Sequence, residues 1–295
     1  MMKSGFVSIV GRPNTGKSTL LNTILGSHIA IVSDVAGTTR NTIQGVYNDD
    51  DCQIVFTDTP GIHKPKDKLG KFLNRQAYDI LKENDLVLFV VDASVGLGKG
   101  DLFLIEALKN VEAPVFLILN KIDKLDDAGI LNAIKEYKDL YSFMEIVPIS
   151  AKKNDNVRRL IETIKKYLTD DIIYYDDGRI TNTSINFMVG ELVREKILNL
   201  TTEEVPHSIT CVTTHYQDKG DITHIYVDII IDRDSLKKII IGKQGSMLKN
   251  IGTMARKDIE ALLGKKIYLE LFVKTIKHWR AKEKYLQELG FKDFE

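Results

Sequence analysis

The sequence predicts two unlike domains: an α/β domain with a mostly parallel central sheet, followed by a smaller α+β domain. Three observations carry that prediction. Short β-rich apolar runs alternate with helical patterns through the first half, a glycine-rich loop joins the first run to the first helix, and the alternation stops at a polar stretch, Thr169 to Asn182. A chain of 295 residues suits two domains, placed at 1–170 and 183–295 with 171–182 as the linker.

Composition narrows the class. With 43% hydrophobic and 28% charged residues the chain reads as an ordinary globular protein. Its longest unbroken apolar run, Leu86 to Val91, falls far short of the ~18 residues a bilayer span needs, and the opening residues read as a polar start entering a strand. A cytoplasmic location follows as the expectation. Cys52 and Cys211 are far apart and read as reduced thiols, and the six histidines show no metal-ligand spacing. Net charge is zero, yet Arg233 to Lys284 holds 14 Lys and Arg against 5 Asp and Glu. A basic stretch of that kind suits a polyanionic partner.

The five apolar runs are Phe6–Val10, Gln53–Thr57, Leu86–Val91, Val115–Leu119 and Glu145–Ile149, and ligands of such sheets bind beyond the carboxyl ends of the strands. After the first run, Gly11, Arg12, Pro13, Asn14, Thr15, Gly16, Lys17 and Ser18 fit G-x-x-x-x-G-K-[ST], with a helical pattern following. Glycines let the backbone fold around phosphate, the helix N-terminus points its N–H groups at the anion, Lys17 neutralises β- and γ-phosphate charge, and the Ser18 hydroxyl suits Mg²⁺.

After the second run come Asp58, Thr59, Pro60 and Gly61. Asp58 is suited to holding the magnesium through a water, and the Gly61 N–H to sensing the γ-phosphate. Between these motifs lies Gly37-Thr38-Thr39-Arg40, where Thr38 or Thr39, with Thr39 preferred, can complete the magnesium shell while GTP is bound and let go afterwards. The fourth run leads into Asn120, Lys121, Ile122 and Asp123. A carboxylate there can accept from both N1–H and the 2-amino group of guanine, a pair adenine does not present; Lys121 can lie over base and ribose while Asn120 ties loops together. Ser150, Ala151 and Lys152 follow the fifth run and supply a backbone N–H for the guanine O6. GTP and GDP are the predicted ligands.

GRPNTGKS, GTTR, DTPG, NKID and SAK, in this order, resemble the motifs of translation-factor-class GTPases in the group that includes the Era and tRNA-modification families. The resemblance implies GTP hydrolysis carried by Lys17, Thr39, Gly61 and Asn14. A glutamine that orients water in Ras-like enzymes is replaced by Ile62, which places the chain with a hydrophobic subgroup and implies slow turnover. In related enzymes the residue matching Asn14 helps hold a K⁺ beside the phosphates; the alternative is that Asn14 only braces the loop. Arg12 and Arg40 lie near enough in sequence to act as arginine fingers, with a solvated surface role expected for each. Thr15 stands where valine is usual and Gly37 where several relatives have glutamine; neither touches a required group.

The second half reads as α-β-β-α-α-β-α, with strands at His207–Thr213, Ile222–Ile231 and Lys266–Val273 and a last helix from about Lys274 to Leu289. Within it, Gly242, Lys243, Gln244 and Gly245 sit between two helical runs and resemble the G-x-x-G clamp of type II KH domains. There the glycines admit a nucleic-acid backbone, a helix N-terminus faces phosphate, Lys243 and Lys249 add charge, and Ile241 and Leu248 line an apolar groove for unstacked bases of single-stranded RNA.

A phosphate-loop GTPase followed by this region resembles the Era family over almost all 295 residues. That resemblance implies the 3′ end of 16S rRNA and the 30S subunit as partners, a switch role in 16S rRNA processing and small-subunit assembly, and a monomer. The last helix, amphipathic with Trp279 as a packing anchor, is expected to help contact RNA, and through its basic face to allow peripheral inner-membrane contact. The competing reading is a membrane-associated cell-cycle signalling GTPase whose RNA binding is secondary.

Overall fold

The computed structural model describes residues 2–291 apart from His63, Lys64, Lys66, Glu83, Asp170 and Asp177. Asp177 of the expected linker and residues 292–295 of the expected second domain lie outside the described residues. Packing divides the chain into two units. The first holds residues up to Ala30, Thr39–Pro65 and Gly70–Asn182; the second holds Ile31–Thr38, Lys66–Leu69 and everything from Thr183.

In the first unit the elements run β1 (Lys3–Val10), α1 (Lys17–Leu25), β2 (Ile43–Asp49), β3 (Cys52–Asp58), α2 (Lys68–Ile80, its first two residues counted with the second unit), β4 (Leu86–Asp92), α3 (Lys99–Leu108), β5 (Val115–Asn120), α4 (Asp127–Tyr137), β6 (Glu145–Pro148) and α5 (Val157–Lys165). The sheet order is β2-β3-β1-β4-β5-β6, parallel except for β2. Strands β3, β4 and β5 are buried along their whole length, which is why each reads as a continuous apolar run. The helices supply the covering layers. In α5, Val157, Leu160, Ile161 and Ile164 recur at helical spacing and all are buried.

The expected α/β class therefore holds, with one addition. Strand β2 is absent from the sequence reading because IQGVYND carries little apolar signal. Its Gly45 is closely packed: a Cβ there would lie 2.3 Å from Leu25 Cδ1, so neighbouring side chains would have to shift. The polar stretch read as a linker crosses from β1 past β3 and reaches this edge at Ile180. Val46 N donates to Ile180 O at 2.8 Å, Tyr174 N to Gln53 Oε1 at 2.7 Å, and Ile172 N to Ser4 Oγ at 3.1 Å. It covers backbone groups that an edge strand would otherwise leave open.

The second unit runs α6 (Ile185–Leu200), α7 (Val205–Ser208), β7 (Ile209–Asp218), β8 (Ile222–Ile231), α8 (Ser235–Ile241), α9 (Ser246–Leu263), β9 (Lys266–Thr275) and α10 (Glu283–Glu288). Strand β8 is central, antiparallel to β7 and parallel to β9. Val189, Val193 and Ile197 of α6 meet Ile225, Val227 and Ile229 of β8 and Ile251, Ala255 and Ile259 of α9 in one core, which also takes in Ile31.

Two boundaries differ from expectation. Pro206 starts a single helical turn, so the first strand begins at Ile209 instead of His207. The long last helix is corrected to a strand, a turn and a short helix: β9 continues through Thr275, His278 adopts a left-handed φ of 58°, and α10 spans only six residues. Trp279 is an anchor as expected, but a buried one in a 3-10 turn, where its Nε1 donates to Ser208 O at 3.2 Å and its ring stacks on Phe291. The helix whose basic face was expected to reach RNA and membrane is therefore reduced to α10.

Candidate functional site

All the motif loops leave carboxyl ends of strands in the first unit, and neighbouring strands bring them together. Ile9 of β1 lies opposite Asp58 of β3, and Asp92 of β4 opposite Asn120 of β5. Between β1 and α1 the loop turns on glycines that nothing else fits. A Cβ on Gly11 would lie 2.2 Å from the Val90 carbonyl, and Gly16, with a φ of 95°, would drive one to 2.3 Å from Asn120 Nδ2. Asn14 also holds a left-handed φ of 65° and stays exposed. Thr15, buried, closes the loop by donating from Oγ1 to Arg12 O at 3.1 Å.

Lys17 reaches back inside this loop, donating from Nζ to Arg12 O at 2.9 Å and Gly11 O at 3.2 Å. Burial pulls its pKa down to about 8, against the attraction of Asp58. Across from it, Ser18 Oγ donates to Asp58 Oδ2 at 2.6 Å, and Thr39 Oγ1 stands 2.9 Å from Ser18 Oγ. Of the two threonines, then, Thr39 is the one brought to the site; the Thr38 hydroxyl turns away to Val35 O at 2.6 Å. Asp58 is fully buried, and burial lifts its pKa to about 6 although Lys17, Ser18 and Thr39 pull it down. Its Oδ1 has no hydrogen-bond partner among the described residues. A buried carboxylate with an orphaned oxygen beside two hydroxyls fits a hard cation such as Mg²⁺, and a desolvated lysine inside a tight glycine-bounded loop at a helix start fits an anion.

Thr59, Pro60 and Gly61 seat the next segment against the phosphate loop. Thr59 Oγ1 donates to Ile9 O at 2.9 Å, Pro60 is buried, and a Cβ on Gly61 would lie 2.7 Å from Pro13 N. Ile62 points into the core with Val10, Ala77 and Phe89 and is 1% exposed. It is a packing residue.

On the base side, Asn120 Nδ2 donates to Thr15 O at 2.8 Å while its Oδ1 accepts from Ala151 N at 3.0 Å. One side chain thus ties three motif loops. Lys121, at a φ of 67°, donates to Asn14 O at 2.7 Å. Asp123, carried with Ile122 on a 3-10 turn, accepts from Ser150 Oγ at 2.6 Å, leaving its second oxygen for a ligand, and Lys152 lies exposed just beyond.

Two acidic residues that the sequence reading passed over support this site. Asp92 pairs with Lys121 Nζ at 2.6 Å and accepts from Ser94, and although burial works against ionisation these partners hold its pKa below the usual carboxylate range. The signal was a carboxylate ending an otherwise apolar strand. Asp101, fully buried, accepts from Arg12 Nε at 2.7 Å, Gly98 N at 2.9 Å and Tyr137 Oη at 3.0 Å. Arg12 is therefore committed to Asp101, and Arg40 is 5% exposed, so neither is the solvated surface arginine that was expected.

In the second unit, α8 ends at Gly242 and α9 begins at Gly245, both at positive φ (74° and 78°). A Cβ on Gly242 would lie 2.7 Å from Met247 N; one on Gly245 would meet open space, so that glycine answers to backbone conformation alone. Gln244 adopts a φ of 52°, and Ile241, Lys243, Gln244 and Lys249 are exposed around the turn. Leu248 is half-buried against the core.

Residues 6–121 match the family model described as a 50S ribosome-binding GTPase, and residues 204–280 match that of a KH domain. Among solved structures, Era in complex with MgGDPNP and nucleotides 1506–1542 of 16S ribosomal RNA is 41% identical, with 99% of this chain and 100% of that chain covered at a TM-score of 0.96. The chain belongs to the Era family of GTPases. A variant of Aquifex aeolicus Era bound to GDP and AlF4⁻ is likewise 41% identical over 99% of this chain and 100% of that one, at a TM-score of 0.94.

Proposed function

We propose that this Era-family GTPase binds the single-stranded 3′ end of 16S rRNA and acts, as a monomer in the cytoplasm, as a GTP-dependent switch in small-subunit assembly. The observation that carries the reading is the pairing, in one chain, of the Ser18–Thr39–Asp58 cluster with an exposed Gly242-Lys243-Gln244-Gly245 turn at a helix start. The Era complex with MgGDPNP and a 16S rRNA fragment, 41% identical over the full length, supports it.

Gly11 to Ser18 take the phosphates, Ser18, Thr39 and Asp58 hold magnesium, and Asn120 to Asp123 with Ser150 to Lys152 take guanine. Magnesium, when bound, neutralises phosphate charge. Lys17 adds a buried positive charge, and the Gly61 N–H marks the γ-phosphate. With Ile62 in place of a glutamine, turnover is slow unless K⁺, held with Asn14, or RNA supplies the missing orientation. RNA is gripped through Ile241, Gly242, Lys243, Gln244, Gly245 and Lys249. Among the described residues no helix is long and apolar enough to cross a membrane.

Crosslinking of RNA to the protein in cells tests the reading. Enrichment of the 16S rRNA 3′ end is expected. Enrichment of tRNA, or of no RNA, would overturn it.

A further inference from the structure

Helix α6 carries Arg194 with no exposed surface at all. Its Nε and Nη2 donate to Glu191 Oε1 and Oε2 at 2.7 and 2.6 Å, Nη2 also donates to the Thr38 carbonyl, and Nη1 has no partner among the described residues. A wholly desolvated guanidinium with one carboxylate partner is a costly way to fill space. What it secures is backbone.

The neighbouring Glu195 accepts from Val32 N at 2.8 Å, so α6 holds both ends of the segment 31–38, whose Ile31 lies in the second unit's core. Lys196 bridges Glu195 to Asp258 of α9, the helix that starts at the G-x-x-G turn. The grip on the segment thus belongs to the same packed body as the RNA turn. At Thr39 the chain re-enters the first unit, and there the hydroxyl stands 2.9 Å from Ser18 Oγ. A single peptide plane joins the held carbonyl of Thr38 to the N–H of Thr39, and that plane is rigid.

We propose that Arg194 is a positioning residue for GTP hydrolysis: by holding the Thr38 carbonyl it sets the peptide plane from which the Thr39 hydroxyl reaches the magnesium site. Arg194 touches no reactant and acts through Thr39. The inference rests on the reading of Thr39 as a magnesium ligand in the GTP state.

The test measures the affinity of the full-length protein for a non-hydrolysable GTP analogue and for GDP, both with Mg²⁺, and kcat for GTP. Arg194→Met with Glu191→Gln removes the buried pair together, so that no lone charge remains. Loss of the charge-assisted bond should weaken GTP-analogue binding and lower kcat by about tenfold each while GDP affinity stays within about twofold. Arg194→Lys keeps a cation against Glu191 but lacks donors for both partners, and should lose about threefold in GTP over GDP preference. Adding Thr39→Ala to the double variant should cost nothing more.

If Thr39→Ala alone leaves the GTP over GDP preference intact, the reading of Thr39 fails and takes the proposal with it. If Thr39→Ala is impaired while both Arg194 variants match wild type, or lose GTP and GDP affinity equally, the positioning role is overturned and the Thr39 reading stands. Should the double variant not melt cooperatively, Arg194→Lys decides alone.

Discussion

Asn120 ties Thr15 to Ala151, with Nδ2 2.8 Å from the carbonyl oxygen of Thr15 and Oδ1 3.0 Å from Ala151 N. The loop for phosphate and the two loops for guanine are therefore one connected structure. Asn120→Ala leaves buried partners unsatisfied on both sides, at about 1–3 kcal/mol each. Titration with a fluorescent guanine nucleotide should show GTP and GDP affinity falling together by at least about tenfold.

Asp58 carries a cost in the ligand-free protein. Its folded pKa of about 6 lies above the ordinary 3.8, so the folded state binds the proton more tightly than the unfolded chain. Stability contributed by that proton is complete below the ordinary value and is lost as pH rises through the folded one, roughly 2–3 kcal/mol in all. Asp58→Asn should raise the Tm of the nucleotide-free protein at pH 7.5, match wild type near pH 4, and abolish stabilisation by Mg²⁺ with GTP. Melting curves across that range check the sign.

Ile62 is a core residue, so installing glutamine there does not recreate a water-orienting side chain. Ile62→Gln buries an amide among Val10, Ala77 and Phe89 and should cost about 2–4 kcal/mol in chemical denaturation with no gain in kcat. A rise in kcat would show that the side chain can leave the core.

Asn14 is exposed at a left-handed backbone position in the phosphate loop. If it helps hold K⁺, GTP turnover should be faster in K⁺ than in Na⁺ at equal ionic strength, and Asn14→Ala should erase the difference. Equal rates in the two salts would leave Asn14 as a loop brace.

Lys243 sits at the tip of the G-x-x-G turn without burial. Lys243→Gln should weaken single-stranded RNA binding evenly across sequences and reduce the salt slope of binding by about 1. Gly245→Ala, whose Cβ meets no neighbour but is strained at a φ of 78°, should weaken binding by distorting the turn.

Much of this was legible in the sequence because the buried strands of a parallel sheet are continuous apolar runs and each ends at a motif with fixed spacing. Val115 to Leu119 followed by Asn120 needs no structure to be placed. Strand β2 was not legible, since an edge strand with Gly45 in it carries neither an apolar run nor clean alternation. Asp92 and Asp101 escaped because a supporting carboxylate has no motif; only the pairing with Lys121 or Arg12 reveals it. Arg194 was hidden further still, inside a helix whose buried face mixes charge with aliphatic residues. The last helix is shorter than its pattern suggests because Ile276 and Trp279 fall at helical spacing while the chain is still leaving β9, and the left-handed His278 breaks any helix through them.

The central claim is that the nucleotide site and the RNA turn work as one switch. It is tested most directly by measuring GTP turnover and RNA affinity together, with and without an oligonucleotide of the 16S rRNA 3′ end. The account predicts that RNA raises the GTPase rate and binds more tightly with a GTP analogue than with GDP, since linkage makes each ligand's effect on the other's affinity reciprocal. An RNA that binds equally in both nucleotide states and leaves turnover unchanged would contradict it.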